Sequence, residues 1–216
     1  MVWIDSRNER LHQRIVTAIL FLGREFQLWY ATYIIIREIN TMNRYEKACS
    51  TMSIWLDSDI TPAITPNGLL TGREKNCKPS DFLDEDDYVV QFELCRLWLK
   101  DAELIQSFND KSTSYTYKHT VGGASKYYVC NGALLLAARS MELKMRYEPN
   151  SPNAELKISR KWHQSFREIN ESSTRWFQRK VVEFLSDPSL DNIKHVRDWR
   201  EIYGNKILTM TNLRAC

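Results

Sequence analysis

The chain has 216 residues with 43% hydrophobic, 12% aromatic and 26% charged side chains and a formal net charge of +3. Seven Trp argue against disorder, and the low counts of Gly and Pro, seven and six, exclude collagen-like and low-complexity chains. No apolar run approaches the roughly eighteen residues of a membrane helix, and Met1–Arg7 lacks the basic head and apolar stretch of a signal peptide, so no membrane partner is expected.

The length suits one domain, expected over residues 1–204 with a tail at 205–216. A net charge this small requires no polyanion partner, but its distribution is uneven. Residues 55–110 hold five basic and twelve acidic side chains, whereas residues 139–216 hold fifteen basic and ten acidic ones. Pairing within one folded unit is the simplest account of that asymmetry. The five cysteines, Cys49, Cys77, Cys95, Cys130 and Cys216, are odd in number and show no C-x-x-C spacing. That pattern disfavours a zinc site and a disulfide framework and fits a reducing, intracellular compartment. Cys49, Cys95 and Cys130 read as small core residues.

In chain order, Ile15, Ile19, Leu22, Phe26, Trp29, Tyr33 and Ile36 recur at spacings of three and four and predict a long N-terminal helix, central to the fold. Tyr45, Ala48, Met52 and Trp55 continue the spacing after a weak zone at 40–43. Residues 60–79 contain Pro62, Pro66, Asn67-Gly68, Gly72 and Pro79 and predict a loop. Ser80 is the expected N-cap of a helix from about Asp84 to Phe108, with Val90, Leu94 and Leu97 on its buried face. The stretch 114–130 has two readings: a small β-hairpin turning at Gly122-Gly123, or two short helices joined there. Ala133–Arg146 predicts a helix too apolar to lie in a nucleic-acid groove. A long helix over Ser159–Ser186 and a last one with Ile193, Val196, Trp199 and Tyr203, closed by Gly204, complete an all-α domain of about five to seven helices.

Three groups of residues carry possible chemistry. The C-terminal third interleaves Arg160, Lys161, Arg175, Arg179, Lys180, Lys194, Arg197 and Arg200 with Trp162, Trp176, Phe177 and Trp199. Such a pattern supplies phosphate contacts and base stacking. Lys118, His119 and Lys126 flank Gly122-Gly123, where exposed backbone N–H groups of a tight turn would hold an anion. Arg7-Asn8-Glu9-Arg10-Leu11-His12 fits R-N-x-x-x-H and, over those six residues, resembles the catalytic signature of HEPN-type ribonucleases, a helical family. The resemblance implies a metal-independent endoribonuclease that works as a dimer. Arg7 would stabilise charge on the phosphorane, His12 would move a proton at the 2′-hydroxyl, and Asn8 would orient His12 or the phosphate.

Asp84–Asp87 could offer paired carboxylates to a divalent cation, but no third ligand is evident, and favourable charge at a helix N-terminus explains the run. No Walker, Rossmann, zincin or serine-hydrolase pattern is present, so no cofactor and no metal are expected. The sequence therefore predicts a non-enzymatic binding or interaction protein with nucleic acid as the first-named ligand. The ribonuclease acting through Arg7 and His12 and a purely protein–protein adaptor, or subunit of a larger assembly, are the alternatives.

Overall fold

Helices dominate, and their buried faces follow the sequence periodicity wherever burial is one-sided. The structure, a computed structural model, describes residues 43–56, 62–71, 77–166 and 172–204. The chain divides into two compact units, Met1–Asn43 and Arg44–Cys216, and the elements below belong to the second. The expected long N-terminal helix and the 205–216 tail lie outside the described residues, so the expected single domain over 1–204 is described only in its second unit.

The described elements open with α1 (Arg44–Leu56). A two-stranded antiparallel hairpin follows, β1 (Ile64–Thr65) and β2 (Gly68–Leu69), then a 3-10 turn at Pro79–Leu83. Next come α2 (Asp87–Leu99), α3 (Ser114–Ser125) and α4 (Asn131–Ser140). A second antiparallel hairpin, β3 (Met145–Tyr147) and β4 (Ala154–Leu156), pairs Met145 with Leu156 and Tyr147 with Ala154. The chain then forms α5 (Arg160–Ser165), α6 (Ser172–Leu185), a 3-10 turn at Pro188–Leu190, and α7 (Lys194–Trp199), which runs on into a π-helical turn at Arg200–Gly204. The architecture is a mostly helical domain with two small hairpins.

α4 sits at the centre. Every residue from Asn131 to Arg139 is buried, so this helix has no solvent face, as its run of Ala and Leu requires. It packs most extensively on α2 and also against α1 and α3. Its first turn meets the β1–β2 hairpin. The Gly132 N–H donates to the Pro66 carbonyl at 3.0 Å. A Cβ at position 132 would overlap the Thr65 carbonyl and crowd the Phe82 ring. Only glycine lets the two backbones approach this closely. One residue earlier, Asn131 donates through Nδ2 to the Pro152 carbonyl at 2.9 Å, and the same carbonyl accepts from the Leu69 N–H at 2.9 Å. Gly68, at φ +129°, passes beside that carbonyl in a conformation that L side chains avoid. The first turn of α4 thus ties both hairpins to the core.

Several expected boundaries shift. Residues 114–125 form one continuous helix through Gly122-Gly123, neither a hairpin nor two helices. Their β-branched and aromatic content favours a strand locally, but Tyr117, Val121, Ala124 and Ser125 fall on one helical face and are buried there. The loop expected at 60–79 contains the β1–β2 hairpin, and Ser80 lies inside the Pro79–Leu83 turn instead of capping α2. α2 stops at Leu99 instead of reaching Phe108. Chain after α2 instead lies against the β4 side, where Leu104 bridges to Ile158. The helix expected over 159–186 is described as two, with Ser159 capping α5 by accepting from the Trp162 N–H at 3.3 Å.

Gly132→Ala should destabilise the fold by roughly 1–3 kcal/mol or more, because overpacking here falls on backbone that cannot rotate away. Gly123→Ala, on the exposed side of α3 with nothing near its missing Cβ, should raise stability by up to about 1 kcal/mol. Thermal unfolding followed by circular dichroism should place the two variants on opposite sides of wild type. A Gly132→Ala melting temperature equal to wild type would contradict the close approach.

Candidate nucleic-acid interface

Lys118 is the singular side chain of this surface. It sits in the middle of α3, on the turn between the core-facing residues Tyr117 and Val121, and is only 9% exposed. Its ammonium lies 4.8 Å from the centre of the Tyr115 ring and 5.5 Å from that of Tyr128. No carboxylate among the described residues comes within ion-pair distance of it. Cys130, whose thiol the Lys118 charge reaches, does not supply the missing anion. Burial pushes that thiol up to about 11, against the Ala133 N–H and Lys118, which favour the thiolate. The N-terminus of α4 begins beside Cys130 and adds further positive potential.

Lys118 thus buries its stem while its ammonium stays at the surface beside the two rings, a contact worth about 0.5–1 kcal/mol, and no carboxylate among the described residues neutralises it. Arg139, the other buried cation of this region, is placed differently. It stands in the last turn of α4, at the negative end of the helix dipole, and donates to the Pro62 carbonyl at 2.5 Å.

The two tyrosines that hold Lys118 are exposed, Tyr115 by 51% and Tyr128 by 69%. His119 packs edge-on to Tyr115, ring centres 4.6 Å apart. Lys126 ends α3 in the left-handed conformation at φ 57° and is exposed. The expected anion turn at Gly122-Gly123 is therefore absent, since those residues are helical. Its three basic residues nevertheless connect: Tyr115 joins Lys118 to His119, and Tyr128 joins Lys118 to a cleft that Lys126 also lines.

That cleft, of about 310 Å³, opens between residues 126–128 and the last helical segment. Tyr127, Tyr128, Trp199 and Tyr203 supply aromatic walls, Ile202 stands among them, and Asp87, Lys126, His195 and Asp198 are its charged or ionisable members. Trp199 is fixed by its indole N–H, which donates to the Ser125 carbonyl at 2.9 Å. Asp87 accepts from the Tyr127 hydroxyl and from Gln91 Nε2, the latter at 2.5 Å, while Gln91 Oε1 accepts from the Cys130 N–H at 2.8 Å. Burial, then the Asp87 charge, holds the Tyr127 phenol far above its usual range, and Asp198 adds in the same sense. This network locks residues 127–130 onto α2.

The basic residues of the C-terminal third do not form one surface-ready set. Arg200 is engaged by its own fold: it donates to the Leu185 carbonyl, to the Asp187 carbonyl at 2.8 Å and to Asp191 Oδ1 at 2.5 Å, tying down the end of α6. Arg197 donates to the Asp191 carbonyl at 2.8 Å. Lys180 bonds Asp101 at 3.2 Å and lies 3.5 Å over the Trp176 ring. Arg175 and Arg179 share α6 with them, part-buried and exposed respectively. Arg160, Lys161 and Lys194 are exposed and have no carboxylate within ion-pair distance among the described residues. Arg7, Asn8 and His12 lie outside the described residues.

Two further side chains find structural roles. His163 is buried between Thr120 Oγ1, at 2.7 Å from Nε2, and Ser112 Oγ, at 3.4 Å from Nδ1. Thr120 also donates to the Thr116 carbonyl at 3.3 Å, so its oxygen accepts from His163 Nε2. From the acidic run, Asp87 turns inward to the Tyr127–Gln91 network while Asp84, Glu85 and Asp86 stay exposed. Among the described residues no three His, Cys, Asp or Glu side chains gather as a metal site, and no helix is long and apolar enough to cross a membrane. No protein family, curated protein or solved structure matches the chain.

Alkaline pH probes the buried phenols. Burial pushes Tyr117 up to about 12, against hydrogen bonds to Asn109 and Ser112. In the unfolded chain a tyrosine titrates near 10, so between about pH 10 and 12 the folded state keeps a proton that the unfolded state loses. Stability should be intact below pH 10 and fall as pH rises through that window. Denaturant unfolding at pH 9 and 11 should show the loss, and equal midpoints at both would contradict buried, protonated Tyr117 and Tyr127.

Proposed function

We propose that the protein binds single-stranded nucleic acid through the surface centred on Lys118, with a phosphate as the anion that this lysine lacks. The observation that carries the reading is the pairing of a nine-tenths buried, carboxylate-free lysine with two exposed tyrosine rings. A phosphate would complete the charge of Lys118, and exposed aromatic faces beside it are what unpaired bases stack on, for about 1–3 kcal/mol per base. Lys126 extends the positive edge at the end of α3, His119 packs on Tyr115 beside it, and Lys194, next to His195 of the cleft, offers a further phosphate contact. The strip of Trp176, Lys180, Arg175 and Arg179 on α6 has the composition for a second contact, but Lys180 covers the Trp176 ring and is itself paired with Asp101. It ranks below the Lys118 surface for that reason.

A labelled single-stranded RNA and its DNA counterpart, titrated at about 50 and 200 mM salt, should bind more weakly at the higher salt, in proportion to the phosphates contacted. Lys118→Met should lower affinity tenfold or more. Its melting temperature should stay close to wild type, because Met keeps the packing of the buried lysine stem. Tyr128→Ala should weaken binding by about 1–3 kcal/mol. Binding unchanged in Lys118→Met, or absent from wild type at low salt, would overturn the reading.

A further inference from the structure

We infer that the cleft beside Tyr128 is a base pocket selective for guanine, read by Asp198. The inference rests on the nucleic-acid reading of Lys118 and adds base selectivity to it. Tyr128 is common to both places: its ring contacts the Lys118 ammonium and lines the cleft. A nucleotide whose phosphate meets Lys118 therefore has its base within reach of the cleft. At about 310 Å³ the cleft stands at the small end of ligand pockets, suited to one base and not to a large cofactor. Trp199 and Tyr203, with ring centres 6.5 Å apart, give it aromatic walls, and Trp199 is held in place by its bond to Ser125.

Selectivity follows from which hydrogen-bonding groups remain unused. Asp87 is engaged on both oxygens by Tyr127 and Gln91, so it shapes the floor but has little left to offer a ligand. Asp198 is exposed, has no cationic partner within ion-pair distance among the described residues, and stands close enough to the Tyr127 hydroxyl to act on its ionisation. Its carboxylate accepts hydrogen bonds and donates none. Guanine presents two adjacent donors, N1–H and the 2-amino group, which a carboxylate accepts as a pair. Adenine and cytosine set a ring-nitrogen lone pair beside their amino group, and uracil sets its single N–H between two carbonyls. Each would turn a lone pair toward Asp198. Guanine O6, next along the same edge, suits a donor, and Lys126, His195 and the Tyr128 and Tyr203 hydroxyls line this cleft. A good bidentate contact of this kind discriminates by roughly tenfold or more.

Calorimetric titration of the full chain with the 5′-monophosphates of guanosine, inosine, adenosine, cytidine and uridine tests this, with Asp198→Asn and Lys118→Met alongside. Guanosine monophosphate should bind tightest, and inosine monophosphate, which lacks the 2-amino group, should bind roughly tenfold more weakly. Asp198→Asn should bring guanosine and adenosine monophosphates to similar affinities while both still depend on Lys118. Equal affinity for all five nucleotides, or a guanine preference that survives Asp198→Asn, would overturn the inference and leave the Lys118 reading standing. Failure of every nucleotide to bind would remove both.

Discussion

The contact between Gly132 and the Thr65 carbonyl is the constraint on which most of the described unit depends. It brings a hairpin backbone against the first turn of the most buried helix, at a distance that no side chain permits. Asn131, one residue before, holds the Pro152 carbonyl and so the turn between β3 and β4. Cys130, one residue earlier again, has its N–H taken by Gln91, and its sulfur accepts from the Ala133 N–H at 3.3 Å. Three consecutive residues thus anchor the start of α4 to α2 and to both hairpins. The segment 126–130 leads into that anchor and presents Lys126 and Tyr128 at the surface from a fixed backbone. The functional reading needs this rigidity, because a stacking ring on a loose loop loses much of its contact free energy to ordering.

Asp87, buried, and Lys118, buried along its stem, flank that segment in contrasting environments. Asp87 is held by neutral donors, a phenol and an amide, which in turn bond to the core. Lys118 is held only by ring faces. The first arrangement is closed and structural. The second carries no carboxylate partner among the described residues. The proposed phosphate would approach from the solvent side, where both tyrosines are exposed.

Helices buried on one side were legible in the sequence. Tyr45, Ala48 and Met52 on α1, and Val90 and Leu94 on α2, sit where their spacing of three and four places them, and the Ala–Leu run of α4 is core throughout. The α3 segment was less legible because local preference and tertiary packing disagree. Thr116, Tyr117, Thr120 and Val121 favour a strand, and Gly122-Gly123 favours a turn, but Tyr117 and Val121 gain more by burial against α4 in a helix. Composition marked Lys118, His119 and Lys126, though for a turn that does not form. The i, i+3 spacing of Tyr115 and Lys118 was the available signal for their contact. Tyr128 was not legible, since it meets Lys118 only through the fold. The cleft wall was half-visible: His195, Asp198, Trp199, Ile202 and Tyr203 keep helical spacing, and Trp199 stands among the basic residues as a stacking ring, but their meeting with Tyr128 depends on the fold. The charge of Arg200 is visible in the sequence, but the Leu185 and Asp187 carbonyls that it caps reach it only through the fold.

The most direct test of the account is site-resolved nuclear magnetic resonance of the full chain, titrated with a short single-stranded RNA. The Lys118 side-chain ammonium and the ring protons of Tyr115 and Tyr128 should shift together, along one binding curve, before signals elsewhere respond. Shifts confined to Trp176 and Lys180 on α6, or a Lys118 signal that stays fixed while RNA binds, would contradict it.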